Sequence, residues 1–179
     1  EKYGSKLKLE NNDSLDQFLD KEWDIIVHSA GTFSYKNNSI IKDFKDITVD
    51  EWEYCNRLMY LSCFHVSKLA LKSMKNGGHL LFIGSSSIIK GRKNFSCYTP
   101  PKIALTNFVE CISEEFNENN IKINIIHPSR TKTKMRNYIN DDLSKEYLYP
   151  EDVSKVALRY LSSNETGQSY LIRVGDKEL

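Results

Sequence analysis

Short apolar runs separated by stretches of helical spacing constrain this chain more than any other feature. DIIV (24–27), HLLFI (79–83) and IKINII (121–126) are brief and nearly continuous, as strands covered on both faces tend to be. YLIRV (170–174) reads as a fourth strand. Ahead of the first run, SLDQFLDK opens with Ser14 as a helix cap. Between the first two, a long helical segment has Asp50 as its expected N-cap and stops at Gly77 and Gly78. In KIALTNFVECISEEF, residues Leu105, Phe108, Val109, Ile112 and Phe116 share one helical face. PEDVSKVALRYLSS carries Pro150 in its first turn, where a missing N–H costs little. Strands alternating with helices predict an α/β fold, a doubly wound parallel sheet with helices on both faces. Val27, Leu81, Ile83, Ile123 and Ile125 are expected to be buried in that sheet, and Trp52, Phe64 and Phe108 in the core.

The 179 residues suffice for one domain, read as spanning 1–179. A net charge of +1 gives no global pull toward nucleic acid or a membrane surface. No apolar run approaches the roughly 20 residues of a membrane span, and the first residues lack a signal-peptide core. Cys55, Cys63, Cys97 and Cys111 form no CxxC pair and do not cluster with histidines in sequence. Neither a metal site nor a disulfide framework is expected, and a reducing cytoplasm fits.

In a sheet of this kind ligands bind beyond the carboxyl ends of the strands. Those ends are followed by HSAG, GSSS and HPSRTKTKMR, which should converge on one edge. GSSS leads into a segment carrying Ser85, Tyr98 and Lys102. A tyrosine with a pKa near 10 is a poor base, but a neighbouring ammonium favours its phenolate. Tyr98 and Lys102 lie four apart and can share a helix face, while Ser85 could hydrogen-bond a substrate oxygen. Alone, a tyrosine and lysine at this spacing are more often polar residues on an amphipathic helix. Their combination with a strand-end serine and two further strand-end loops favours proton exchange with a carbonyl or hydroxyl.

These residues resemble the short-chain dehydrogenase/reductase family, whose Ser, Tyr and YxxxK lysine follow a central strand in this way. HSAG sits where that family carries an Asn-Asn-Ala-Gly turn, and INIIHPSRTKTKM where it carries a Pro-Gly segment and a following Thr. SSSIIKGRKNFSCYTPPK and HPSRTKTKMR are similar to segments of the reductase domain in bifunctional cytidylyltransferase–reductases that make CDP-ribitol for surface polysaccharides. The resemblance implies a Rossmann-like fold and reduction of ribulose 5-phosphate to ribitol 5-phosphate with NADP, or alternatively NAD, as cofactor. It implies Ser85, Tyr98 and Lys102 as catalytic residues. Ala30, Gly31, Tyr98, Lys102, Pro128, Thr131 and Thr133 are implied at the cofactor, and Arg92 and Arg130 at a substrate phosphate. A homo-oligomer, and a linked nucleotidyltransferase domain, are implied as partners.

The glycine-rich turn with which the family cradles pyrophosphate is absent, so the chain is expected to start after the first strand and to hold nicotinamide nucleotides weakly alone. Met59 occupies the helix position of the family's catalytic asparagine, and Asn56, a turn earlier, is not a substitute. Pro100 and Pro101 fit only a helix's first turn, so that helix is expected to start later than the family's and to tilt Tyr98 relative to Lys102. The basic residues Arg92, Lys93, Arg130, Lys132, Lys134 and Arg136 read equally as a phosphate clamp and as solvated loop charge. His28 reads as a satisfied strand-end histidine rather than a ligand, and Cys97 as a packing residue. Two functions follow: a sugar-phosphate reductase, or a degenerate domain that serves dimerisation or scaffolding of a cytidylyltransferase.

Overall fold

The computed structural model describes residues 21–139 and 144–176. The apolar runs form β1 (Ile25–His28), β4 (Gly78–Ile83), β5 (Ile121–Pro128) and β6 (Ser169–Ile172). These pair in parallel in the order β1-β4-β5-β6. Between β1 and β4 lie a small hairpin, β2 (Ser34–Tyr35) with β3 (Asn38–Ser39), and two helices, α1 (Val49–Asn56) and α2 (Ser62–Ser73). Helix α3 (Thr99–Glu118) joins β4 to β5, and α4 (Pro150–Leu161) joins β5 to β6.

The period-2 alternation of the strands divides the core. Leu80, Phe82, Ile121, Ile123 and Ile125 pack under α2 and α3, against Val66, Ala70, Leu105 and Val109. Leu81 and Ile126 face the other way, onto Val156 and Tyr160 of α4 and Ile172. Each such side chain, fully buried, contributes about 1.5–3 kcal/mol. A one-residue slip of β4 would therefore misplace Leu80, Leu81 and Phe82 together, which fixes its register. Asn124 interrupts the apolar pattern of β5 but is satisfied: its Nδ2 donates to Glu165 O (2.8 Å) and its Oδ1 accepts from Gln168 N (2.9 Å).

The expected strands and their parallel sense hold, with four differences in detail. The cap of α1 is Thr48, not Asp50. Thr48 Oγ1 accepts from Glu51 N while Glu51 Oε2 accepts from Thr48 N, a reciprocal box that leaves Asp50 inside the first turn. Val27 was expected to be buried and is 46% exposed, because β1 is the outer strand of the described sheet and only one of its edges is paired. Trp52 and Phe64 were expected in the core; Phe64 is 48% exposed and Trp52 is also at the surface, because both lie on helix faces turned away from the sheet. Phe108 packs partly buried against the helix-side core, as Ile83 does on the α4 side.

The long helix is also not uniform. It widens into a π turn at Arg57–Leu61, between α1 and α2. The hairpin was not anticipated; its two turn residues, Lys36 (φ 47°) and Asn37 (φ 67°), adopt the left-handed geometry of a tight β-turn. Gly77, at φ 87°, makes the turn into β4, where a Cβ would lie 2.6 Å from Asn120 O. The helix expected to begin at Ser14 lies outside the described residues. Among the described residues no helix is long and apolar enough to cross a membrane.

Candidate active site

Beyond the carboxyl ends of β1, β4 and β5 lies a cavity of about 790 Å³, lined by Ser29, Ser85, Tyr98, Pro128, Arg130 and Thr131, among others. Arg92, Thr133 and Arg136 also face it, together with Lys145 and Arg173. The three strand-end loops thus converge as the topology requires.

Ser85 follows β4 and caps a single 3₁₀ turn, with its Oγ accepting from Ser87 N at 3.2 Å. Tyr98 is the N-cap of α3, and Pro100 and Pro101 fall inside the first turn as their missing N–H groups demand. Its ring is wedged edge-on against Phe33 (4.7 Å between centroids) and Phe95 (6.1 Å), leaving it 5% exposed. Burial pushes the phenol pKa upward. A hydrogen bond with Ser85 and the charge of Arg136 act in the opposite sense.

Lys102, one turn into α3, is 2% exposed and donates from Nζ to Ile83 O (2.9 Å) and Ala30 O (3.3 Å). Burial pushes its pKa down to about 8. The lysine therefore ties the ends of β1 and β4 together. The charge of Arg136, which the sequence did not single out for this, favours the Tyr98 phenolate. Ala30 and Gly31 sit with Lys102 behind the cavity rather than on its wall; a Cβ on Gly31 would lie 3.5 Å from Nζ.

The basic loop after β5 is braced by aromatic rings. The Arg130 and Arg136 guanidinium groups lie 5.5 Å and 5.8 Å from the Tyr147 ring centre, and Lys132 lies 5.5 Å from that of Tyr149. Of the basic residues, Arg92, Arg130 and Arg136 face the cavity, while Lys93 pairs with Asp43 at 3.9 Å on the surface and Lys134 is exposed. Lys145 and Arg173 had no local sequence signal, because distant segments bring them to the same wall.

His28 is a satisfied buried histidine. Its Nε2 donates to Ser62 Oγ (2.8 Å), whose hydroxyl is committed to Leu58 O (2.6 Å). Burial, and then the Lys102 charge, hold its pKa down at about 4. Met59 is fully buried in the π turn and packs in one cluster with Tyr98, where its carbonyl accepts from the Cys63 thiol at 3.3 Å. Asn56 turns back to Trp52 O (2.8 Å), away from the cavity. Cys97 is fully buried in the same cluster as Tyr98.

The cavity fits the nicotinamide end of a dinucleotide. Hydroxyls gather there, and the buried Ser87 and Ser129 Oγ atoms on its wall have no protein hydrogen-bond partner, as suits groups that meet a polar ligand. The pyrophosphate end has no counterpart in the sequence, whose glycines nowhere fall in a Gly-x-Gly-x-x-Gly spacing.

Comparison with known proteins agrees with this geometry. A family model described as short chain dehydrogenase matches residues 12–144. The bifunctional ribulose 5-phosphate reductase/CDP-ribitol pyrophosphorylase Bcs1 of Haemophilus influenzae is 36% identical over 102 residues, which cover 56% of this chain and 22% of Bcs1. The chain thus matches less than a quarter of that protein's length. A 7 alpha-hydroxysteroid dehydrogenase complexed with NADH and 7-oxo glycochenodeoxycholic acid shares the fold with a TM-score of 0.82 at 23% identity, over 96% of this chain and 72% of that one. A short chain dehydrogenase from Burkholderia cenocepacia J2315 in complex with NADP gives a TM-score of 0.82 at 19% identity, over 95% and 74%.

Proposed function

The chain belongs to the short-chain dehydrogenase family of nicotinamide-dependent oxidoreductases, and we propose that it reduces the carbonyl of a phosphorylated sugar to the polyol. The reaction is of the ribulose 5-phosphate to ribitol 5-phosphate type and serves surface-polysaccharide precursor synthesis. One observation carries this reading: the Ser85 and Tyr98 hydroxyls meet in a cavity that Arg92, Arg130 and Arg136 also line. The likeness to Bcs1 supports the substrate class.

In this reading Ser85 hydrogen-bonds the substrate carbonyl oxygen and Tyr98 Oη–H gives it a proton. A bound nicotinamide supplies the hydride to the carbonyl carbon. Burial raises the phenol pKa, so Tyr98 is protonated at neutral pH and suited to donate. The positive charge of Arg136 then stabilises the phenolate that remains. Arg92 and Arg130 hold the substrate phosphate, for which a planar guanidinium is well shaped. Ala30, Gly31, Tyr98 and Lys102, with Pro128, Thr131 and Thr133, would hold the nicotinamide end of the cofactor. NADP is proposed over NAD on resemblance alone. Tyr60, Leu61 and Phe64 on the α2 side, with Ile103 on α3, present apolar surface that suits a homo-oligomer. A linked nucleotidyltransferase is proposed on the Bcs1 likeness.

The test is Tyr98→Phe in the full-length protein. The mutation removes a hydroxyl and little packing, so turnover of ribulose 5-phosphate should fall by about 10²–10⁴-fold while cofactor affinity stays level. Wild-type turnover in Tyr98→Phe would refute the assignment. A wild-type protein inert toward sugar phosphates would favour the scaffolding reading, for which the buried Met59 speaks.

A further inference from the structure

We propose that His127 is a positioning residue for Ser85, reaching across from the neighbouring strand to hold the turn that carries the serine hydroxyl. The proposal deepens the reductase reading and rests on it for the role of Ser85.

Strand β5 runs beyond the end of β4. Ile83 pairs with Ile126, and Gly84 N still donates to Ile126 O at 2.7 Å, so His127 stands beside the first residues of the turn. There its Nδ1 accepts the backbone N–H of Ser85 at 3.2 Å. A nitrogen that accepts carries no hydrogen, so the ring hydrogen is on Nε2, which donates to Ser169 Oγ of β6 at 3.0 Å. Both ring nitrogens are thus committed, one to the turn and one to the strand beyond. The ring is 1% exposed.

The residue before Ser85 is shaped for this contact. A Cβ on Gly84 would fall 2.2 Å from His127 Nδ1 and 2.5 Å from Cε1, inside any van der Waals contact. The φ of Gly84 is not in the left-handed region, so the imidazole and not the backbone conformation demands glycine here. Removing the side chain at 84 lets a flat ring lie against the chain and reach the next amide. A histidine that only filled space would not require its neighbour to be bare.

The serine is then held at two points. His127 fixes its backbone, and Ser87 N donates to its Oγ at 3.2 Å. With a lone pair of Oγ engaged by Ser87, the hydroxyl hydrogen is left for Tyr98 or a substrate oxygen. His127 is not on the cavity wall, and acts only through where it puts Ser85.

The test is a double-mutant cycle in the full-length protein with ribulose 5-phosphate, joined to an NMR measurement that needs no activity. Replacing His127 by Leu should lower kcat by about 10–100-fold through a misplaced Ser85, with the cofactor KM unchanged. His127→Asn, whose Oδ1 can take the place of Nδ1, should recover most of that loss. In a Ser85→Ala background His127→Leu should cost nothing further; an equal loss in both backgrounds, or an Asn variant as poor as Leu, overturns the proposal. Nitrogen-15 spectra of the wild type should show His127 as the Nε2–H tautomer, and amide exchange at Ser85 should quicken in His127→Leu but not in His127→Asn. The opposite tautomer, or unchanged Ser85 exchange, overturns it equally. If the wild type reduces no sugar phosphate the function is wrong, and the NMR results alone decide the positioning.

Discussion

Lys102 should make the folded protein more stable as the solution becomes more alkaline, against the usual trend. Its ammonium is enclosed in the fold with a pKa of about 8, against 10.5 for the free side chain. Between those values the unfolded chain holds a proton that the folded chain has released, so raising the pH favours folding. Integrated from about pH 7 to about pH 9.5, this amounts to about 2 kcal/mol, the full difference of about 2.5 units being worth roughly 3.4 kcal/mol. Urea unfolding of the wild type and of Lys102→Met across that range isolates the contribution, because other titrating groups are common to both. The absolute effect of Lys102→Met mixes relief of the buried charge with loss of the bonds to Ile83 O and Ala30 O. The pH slope does not mix them. The wild-type curve should rise relative to the variant by about 2 kcal/mol. Parallel curves would show that the ammonium is not held at a cost, and the account of Lys102 as a desolvated cation would fail.

Two further predictions concern charge at the same edge of the sheet. His28, held neutral by burial with a pKa of about 4, should act on the acid side. As pH falls below the free value of 6.5 the unfolded chain takes up a proton that the folded chain refuses, and stability is lost. His28→Gln should flatten that acid limb by about 2 kcal/mol between about pH 7 and about pH 4.5, and an unchanged limb would refute the assignment. His127, also near 4, should leave a residual slope in the variant. Arg130→Ala should raise KM for a phosphorylated substrate by about 10-fold or more while sparing its unphosphorylated analogue, in steady-state kinetics on the full-length protein. Equal losses for both substrates would remove the phosphate role.

The parallel sheet was legible because its signal is local. Leu80, Leu81 and Phe82 need only be apolar and consecutive to mark a strand covered on both faces, and Asn124 could interrupt the next strand without hiding it. The converging loops were legible for the same reason, since topology alone brings the ends of β1, β4 and β5 together. The exposure of Val27, Trp52 and Phe64 was not legible. An apolar residue is written alike whether it faces the sheet, an oligomer partner or water, and only the position of the remaining elements decides. Thr48 was overlooked although its signal was present in T-V-D-E, because Asp50 is also a favoured capping residue. Charges from distant segments left no local trace at all. Lys145 and Arg173 reach the cavity through the loop before α4 and the end of β6, and no spacing rule connects them to Ser85.

Spacing placed Tyr98 and Lys102 four apart but left open where their side chains go. Tyr98 is the cap of α3, and its side chain leaves the helix toward Phe33 and Phe95. Lys102 points instead to Ile83 O and Ala30 O. The two groups are shifted by the same cause in opposite senses: burial disfavours charge, so the phenol keeps its proton and the ammonium yields one more easily. A neutral tyrosine is what proton donation to a carbonyl requires. Under the proposed function, the permanent charge of Arg136 would ease the phenolate left after that transfer. Because Arg136 lines the same cavity as Arg92 and Arg130, the proposed function would couple recognition of a phosphorylated substrate to proton transfer through this arginine.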